Sequence, residues 1–217
     1  MTPSNIVGMA YIKGLDVIAI TDHNSCKNCK AAQAAAQEFG ITVICGMELT
    51  TEEEVHVVCL FPSLEKALEF DALVYDRLIK IPNNPDVFGR QIICDENDNQ
   101  TETESFLLIN ATTIPFDEAI RLVEQYDGVA FPAHIDKNAN SLLSNLGFIP
   151  PESTFQCVEL KNMDNFIQLS QKHPYLENCR TVTDSDAHYL QDINEATNYL
   201  HCESRSVTDI LKSFNKK

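Results

Sequence analysis

The chain has 217 residues, 44% of them hydrophobic, and a formal charge of −16 from 16 Lys and Arg against 32 Asp and Glu. This length and apolar content suit one globular domain, with or without an insertion, and exclude a chain that is disordered throughout. The acidity excludes a groove built from Lys and Arg and so predicts no duplex nucleic-acid partner, while an anionic substrate held through bound cations stays open.

Met1-Thr2-Pro3 reads as the opening of a helix, with Thr2 as N-cap, Pro3 at the first helical position and Gly14 as the stop. DVIAI (16–20) is a short apolar run of the kind buried on both faces of a sheet. AAQAAAQEF (31–39) is an Ala-rich helix closed by Gly40, and ITVIC (41–45) and VHVVCLF (55–61) are two further strands. Residues 64–80 read as a helix that ends near Pro82. Between 83 and 113 the pattern breaks into NNP, an acidic polar run and the hairpin-like pieces QIIC and FLLIN. Segment 63–113 is therefore expected to be an insertion or cap on a domain formed by 1–62 and 114–217. FDEAIRLVEQY (116–126) resumes the alternation as a helix, and VAFPA (129–133), FQCVEL (155–160), RTVT (180–183) and NYLHCE (198–203) read as strands. A closing helix starts at a Ser206-x-x-Asp209 capping box. Strands alternating with helices imply an α/β fold with a parallel sheet, either a barrel or doubly wound.

The eight cysteines are scattered, several inside strand-like runs, which predicts buried thiols in a cytoplasmic protein rather than disulfides. Only Cys26-x-x-Cys29 has ligand or redox spacing, and no second pair completes a zinc site. No apolar run approaches the ~20 residues that span a bilayer, and the first residues lack the basic and apolar stretches of a secretory leader. No membrane partner is expected.

Position is the informative signal, because functional side chains of parallel α/β folds lie just past the carboxyl ends of strands. DVIAI runs into Thr21-Asp22-His23, ITVIC into Gly46-Met47-Glu48, VAF into Pro132-Ala133-His134, and RTVT into Asp184-Ser185-Asp186-Ala187-His188. His56 lies at the start of VHVVCLF, after the acidic run 52–54, which reads as a solvated charge run with a ligand role left open. Imidazole nitrogen and carboxylate oxygen together suit Zn, Mn or Fe, and a carboxylate such as Glu48 bridges two ions in two-metal hydrolases. Lys137 follows His134 closely enough for its ammonium to meet a substrate phosphate oxygen, or it is an ordinary surface lysine. His173 and His201 read as structural. No GxSxG elbow, P-loop or GxGxxG occurs, so serine hydrolase, P-loop kinase and nicotinamide dehydrogenase readings lack support.

GLDVIAITDHNS (14–25), GMELTT with EVHVVCLF (46–61), FPAHIDK (131–137) and SDAH (185–188), taken together and in this order, resemble the PHP family, the polymerase and histidinol phosphatase domain, and look most like its small metal-dependent phosphoesterases. The resemblance implies a distorted (β/α)7 barrel with up to three divalent metal ions at one end, and hydrolysis of small phosphomonoesters or nucleotide phosphates by a metal-bound hydroxide. It implies that Glu48 bridges two ions, that His56 and His134 complete one of them, that Asp186 serves the other, and that His23 and His188 bind the third. Asp22 is implied to orient a ligand or water. The family also begins with a strand carrying an HxH motif and a further ligand, which this chain is expected to lack. On that expectation only the ion of Glu48, His56 and His134 keeps its full set, and fewer than three ions bind. Two other readings stand beside the phosphoesterase: a truncated or non-catalytic metal-binding protein with a regulatory role, and a hydrolase of another bond on the same centre.

Overall fold

A computed structural model describes residues 1–215. The chain order is α1 (Pro3–Ile12), β1 (Val17–Ile20), α2 (Cys29–Ala36), β2 (Thr42–Thr50), β3 (His56–Phe61), α3 (Leu64–Arg77), α4 (Pro85–Phe88), β4 (Ile92–Cys94), β5 (Gln100–Thr103), α5 (Phe116–Gln125), β6 (Val129–Pro132), α6 (Leu142–Asn145), β7 (Cys157–Glu159), α7 (Phe166–Lys172), β8 (Arg180–Val182) and α8 (Val207–Lys212). The fold is mixed α/β. Among the described residues the strands form a four-stranded sheet in the order β1-β2-β3-β6, a parallel pair β7-β8 and a hairpin β4-β5, without closing into a ring.

The expected all-parallel sheet is corrected. β1 and β2 run parallel, but β3 is antiparallel to both β2 and β6. The reason is connection length: only residues 51–55 separate β2 from β3, and a link that short makes a hairpin, whereas a parallel return needs a dozen residues or more. β1 is an edge strand among the described residues, so Ala19 is exposed and the run is not buried on both faces. The run 198–203 forms no strand. Tyr199 there is 79% exposed, and among the described residues no neighbouring strand offers a ladder. Thr2 occupies the cap position of α1 without capping it, because its hydroxyl donates to Asp98 at 2.6 Å.

Side-chain alternation gives the main sheet two unlike faces. One carries Val43, Cys45, Met47, Leu49, Val57, Cys59 and Phe61, packed with residues of α1, α2, α3 and α5 into the larger core. The other carries Ile44, Leu60 and Phe131, which meet Cys157 of β7, Ile210 and Leu211 of the last helix, and Phe214 in the turn after it. Phe214 stacks on Phe131 with ring centroids 5.4 Å apart. Cys26, Cys29, Cys45, Cys59 and Cys157 are buried thiols, as expected. No helix among the described residues is long and apolar enough to cross a membrane.

Candidate metal centre

The second face changes character along its length: Ile44 and Leu60 mark its apolar end, Glu48 and His56 its polar end. Register brings the last two together. Thr50 pairs with His56 and Glu48 with Val58, so Glu48 and His56 are diagonal neighbours on one face of the hairpin. Glu48 thus lies inside β2 rather than beyond it, because the strand continues past Cys45 to Thr50. The turn is held by Thr51, whose hydroxyl accepts from Val55 N at 3.2 Å. Of the acidic run 52–54, Glu53 accepts from Phe116 N at 2.9 Å, where Pro115 offers α5 no side-chain cap.

His23 follows β1 and bridges to Glu48 as a parallel continuation of the β1-β2 ladder. The next residue, Asn24, sits at φ +48° and is 2% exposed. Its side chain accepts from Thr50 N at 2.9 Å and donates to Leu108 O at 2.7 Å and Asn110 O at 2.8 Å. His134 follows β6 at φ +29°, with Ala133 N donating to His56 O at 3.0 Å and Ile135 N to Glu159 O at 2.9 Å. Left-handed backbone at non-glycine residues is costly and persists where the surroundings impose it.

The result is one carboxylate among three imidazoles. Glu48 Oε1 lies 2.9 Å from His56 Nδ1 and 3.1 Å from His134 Nε2, and Glu48 Oε2 lies 3.4 Å from His23 Nδ1. Glu48, His56 and His134 are all buried. Burial pushes the Glu48 carboxyl up, but the hydrogen bonds from His134 and His56 outweigh it and hold the group well below the usual carboxylate range. Burial pushes His23 below the usual imidazole range against the pull of Glu48, which favours the neutral ring that ligates metal. Asp22 is pushed up by burial, and its carboxylate accepts from Asn28 Nδ2 at 3.0 Å.

Asp186 and His188 lie on the loop after β8, and Lys137 on the loop after β6. Asp186, at φ +45°, is ion-paired with Lys137. His188 Nδ1 is 3.1 Å from Asp186 O, and its ring centroid is 6.1 Å from that of His23. Lys161 Nζ donates to Ser185 O at 2.9 Å. Sequence reasoning passed over Glu159, a 3% exposed carboxylate at the end of β7 that accepts from the His134 backbone. Burial, then Asp184, Glu48 and Asp186, push its pKa well above the ordinary value. Its signal was present: a carboxylate inside the apolar run FQCVEL. Asn24 was also missed, and a lone Asn in a loop carries no such signal.

These residues fit a divalent cation. Ligand atoms of His23, Glu48 and His56 all lie within 4.8 Å of one another. Among the described residues His23 Nδ1, the ring nitrogen that faces Glu48, is buried without a hydrogen-bond partner, an arrangement a bound cation relieves. Nitrogen and oxygen donors together match Zn, Mn and Fe.

A sequence model of the PHP domain matches residues 1–202. An uncharacterised protein of Methanocaldococcus jannaschii is 39% identical over 67 residues, which is 30% of this chain and 39% of that protein. A 5'-3' exoribonuclease of Haemophilus influenzae is 36% identical over 63 residues, 28% of this chain and 23% of that protein. The matched stretches thus span well under half the length of these curated relatives. Among solved structures, the lesion-specific endonuclease Q of Pyrococcus furiosus superposes with a TM-score of 0.64 at 15% identity, covering 99% of this chain and 51% of that one. A protein of Bifidobacterium adolescentis assigned as a metal-dependent phosphoesterase superposes at 0.60 and 16% identity, covering 100% of this chain and 92% of that one. An endonuclease Q complex superposes at 0.59 and 16% identity over 98% of this chain and 51% of that one, and it holds a 27-mer duplex with an abasic lesion at its active site. The exclusion of duplex nucleic acid on acidity alone is therefore corrected. Net charge is a sum over the surface, whereas a polyanion meets the local field at the site, which bound cations invert.

Proposed function

The chain belongs to the PHP domain family, a family of metal-dependent hydrolases, and on that premise we propose that it is a phosphoesterase of small phosphomonoesters or nucleotide phosphates. The observation that carries this reading is the buried Glu48 carboxylate among three imidazoles, with the His23 Nδ1 that faces it lacking a hydrogen-bond partner among the described residues. His23, Glu48, His56 and His134 hold the first cation, and Asp186 and His188 extend the set from the facing loop. Bound Mn, Zn or Fe supplies an acidified water and positive charge against the phosphoryl group. Lys137 gives its ammonium to a phosphate oxygen and exchanges its Asp186 partner for it. Asp22 and Asn28 hold the loop of His23 in place. Segment 63–113 serves as a cap, tied to that loop through Asn24.

Phosphodiesters of nucleic acid are the second reading, favoured by the duplex in the endonuclease Q complex. The experiment strips the protein of metal with chelator, restores Mn or Zn, and follows phosphate release from glycerol phosphate and a nucleoside monophosphate, and cleavage of an oligonucleotide carrying an abasic site. Recovery on metal addition is expected. Full activity in excess chelator ends the reading.

A further inference from the structure

Resting on the phosphoesterase reading, we propose that Tyr75, Phe106, Lys27 and Lys80 form a binding site for a nucleobase and its neighbouring phosphate beside the metal centre. The substrate is then a nucleotide unit, alone or at the end of a strand, rather than a base-free phosphoester.

Four separate stretches supply the site. Tyr75 comes from α3, Lys80 from the extended segment after it, Phe106 from the segment after β5, and Lys27 from the loop that carries His23. The two rings lie 6.3 Å apart at 57°. Lys27 Nζ is 4.6 Å from the centre of the Tyr75 ring and Lys80 Nζ 4.8 Å, with Lys80 Nζ also 5.8 Å from that of Phe106.

The two lysines differ in what holds them. Lys27 is ion-paired at 2.6 Å with the buried Glu104, which also accepts from Tyr75 Oη at 3.0 Å. That triad is close to neutral and fixes the ring. Lys80 is exposed, and among the described residues no carboxylate pairs with it. Lys80 thus sets an ammonium with no ion pair among the described residues over two half-buried rings. A fixed aromatic face with an exposed cation beside it is the chemistry that stacks a base and grips its phosphate. The base takes the face that the Lys80 ammonium now covers, and the ammonium moves to the phosphate.

The site is near enough to matter. Lys27 is four residues from His23, a reach of at most about 14 Å. Asn24 bonds to both Leu108 O and Asn110 O, so the segment carrying Phe106 is tied to the loop carrying His23.

Two measurements on the full chain test the site. The first is anisotropy of a labelled single-stranded oligodeoxythymidine in chelator, which needs no metal and no turnover. The second, with Mn restored, compares KM for a nucleoside monophosphate with KM for glycerol phosphate, which has no ring to stack. Base stacking on one aromatic ring is worth about 1–3 kcal/mol, so Phe106→Ala is expected to weaken oligonucleotide binding roughly 5- to 150-fold. Lys80→Ala lies on the surface and keeps the test valid if Phe106→Ala misfolds. Both variants are expected to raise the nucleotide KM at least fivefold more than the glycerol phosphate KM. Equal rises for the two substrates, or an unchanged oligonucleotide Kd in both variants, overturn the site. If the wild-type chain turns over neither substrate, the phosphoesterase reading fails, and the anisotropy still decides for or against the base site.

Discussion

Glu48 keeps its charge in a place where burial alone would neutralise it, because two imidazole hydrogen bonds outweigh the lost hydration. Glu48→Gln removes the charge but keeps the shape. It is expected to weaken Mn or Zn uptake by about 100-fold or more, since only imidazoles remain of the four donors to the first cation, and calorimetric titration of the stripped protein reads this directly. Undiminished uptake would place the ion elsewhere. Glu159 is the opposite case. Its folded pKa lies above its unfolded value, so metal-free stability falls as pH rises from about 4.5 through the folded pKa. Glu159→Gln does not titrate, and its thermal advantage over the natural chain is expected to grow across that window. Each pKa unit is worth about 1.4 kcal/mol, and about 1 kcal/mol moves Tm by 2–4 °C at this size. Melting curves at pH 5 and pH 8 check it, and a constant difference would rule it out. The ligand-type residues were legible because each ends or opens an apolar run. Glu159 was not read, although the same alternation that makes Cys157 an inward residue makes Glu159 one too.

The β2-β3 hairpin depends on a residue with no side chain. A Cβ on Gly46 would meet Cys59 O at 2.4 Å and Leu60 Cδ2 at 2.9 Å, a backbone clash that no rotamer relieves. Gly46→Ala is expected to cost about 1–3 kcal/mol, seen as a lower Tm, and to weaken metal uptake by separating Glu48 from His56. A natural Tm in this variant would show that the two strands yield freely. Strand and helix positions were largely readable from apolar runs and caps, as with Ser206, which accepts from Asp209 N at 3.2 Å. Direction was not, because a four-residue apolar run looks alike in parallel and antiparallel sheets. Only the shortness of 51–55 pointed to a hairpin. Residues 198–203 failed for the converse reason: apolar residues without a neighbouring strand make no ladder.

One sheet face serves two purposes, with an apolar end closed by α8 and a polar end that gathers the candidate ligands. Phe214, 7% exposed and stacked on Phe131, is the main plug of the apolar end. Phe214→Ala is expected to cost about 3–5 kcal/mol in denaturant titrations. The metal affinity of the fraction that stays folded should hold, because the cavity opens at the far end of the face. A matching loss of metal affinity would show the two ends to be mechanically linked. This division was invisible in the sequence, where the closing helix read only as a capped C-terminal segment. The acidic composition was visible, but it was a poor guide to partners, since charge summed over a surface says little about the field at one site.

The spacing of the ligands along the chain also sets an order of assembly. Glu48 and His56 are eight residues apart, whereas Glu48 and His134 are 86 apart. Closing the longer loop costs about 2 kcal/mol more in chain entropy by the logarithmic rule. The hairpin pair is therefore expected to form first and to bind a cation loosely before the second half of the chain docks. An ion present during synthesis then acts as a folding nucleus, and His134 arrives to complete a site that has already begun to close. Pulse-labelled hydrogen exchange during refolding with Mn should protect the amides of Leu49 and Val57 before that of Ile135, and simultaneous protection would count against this order.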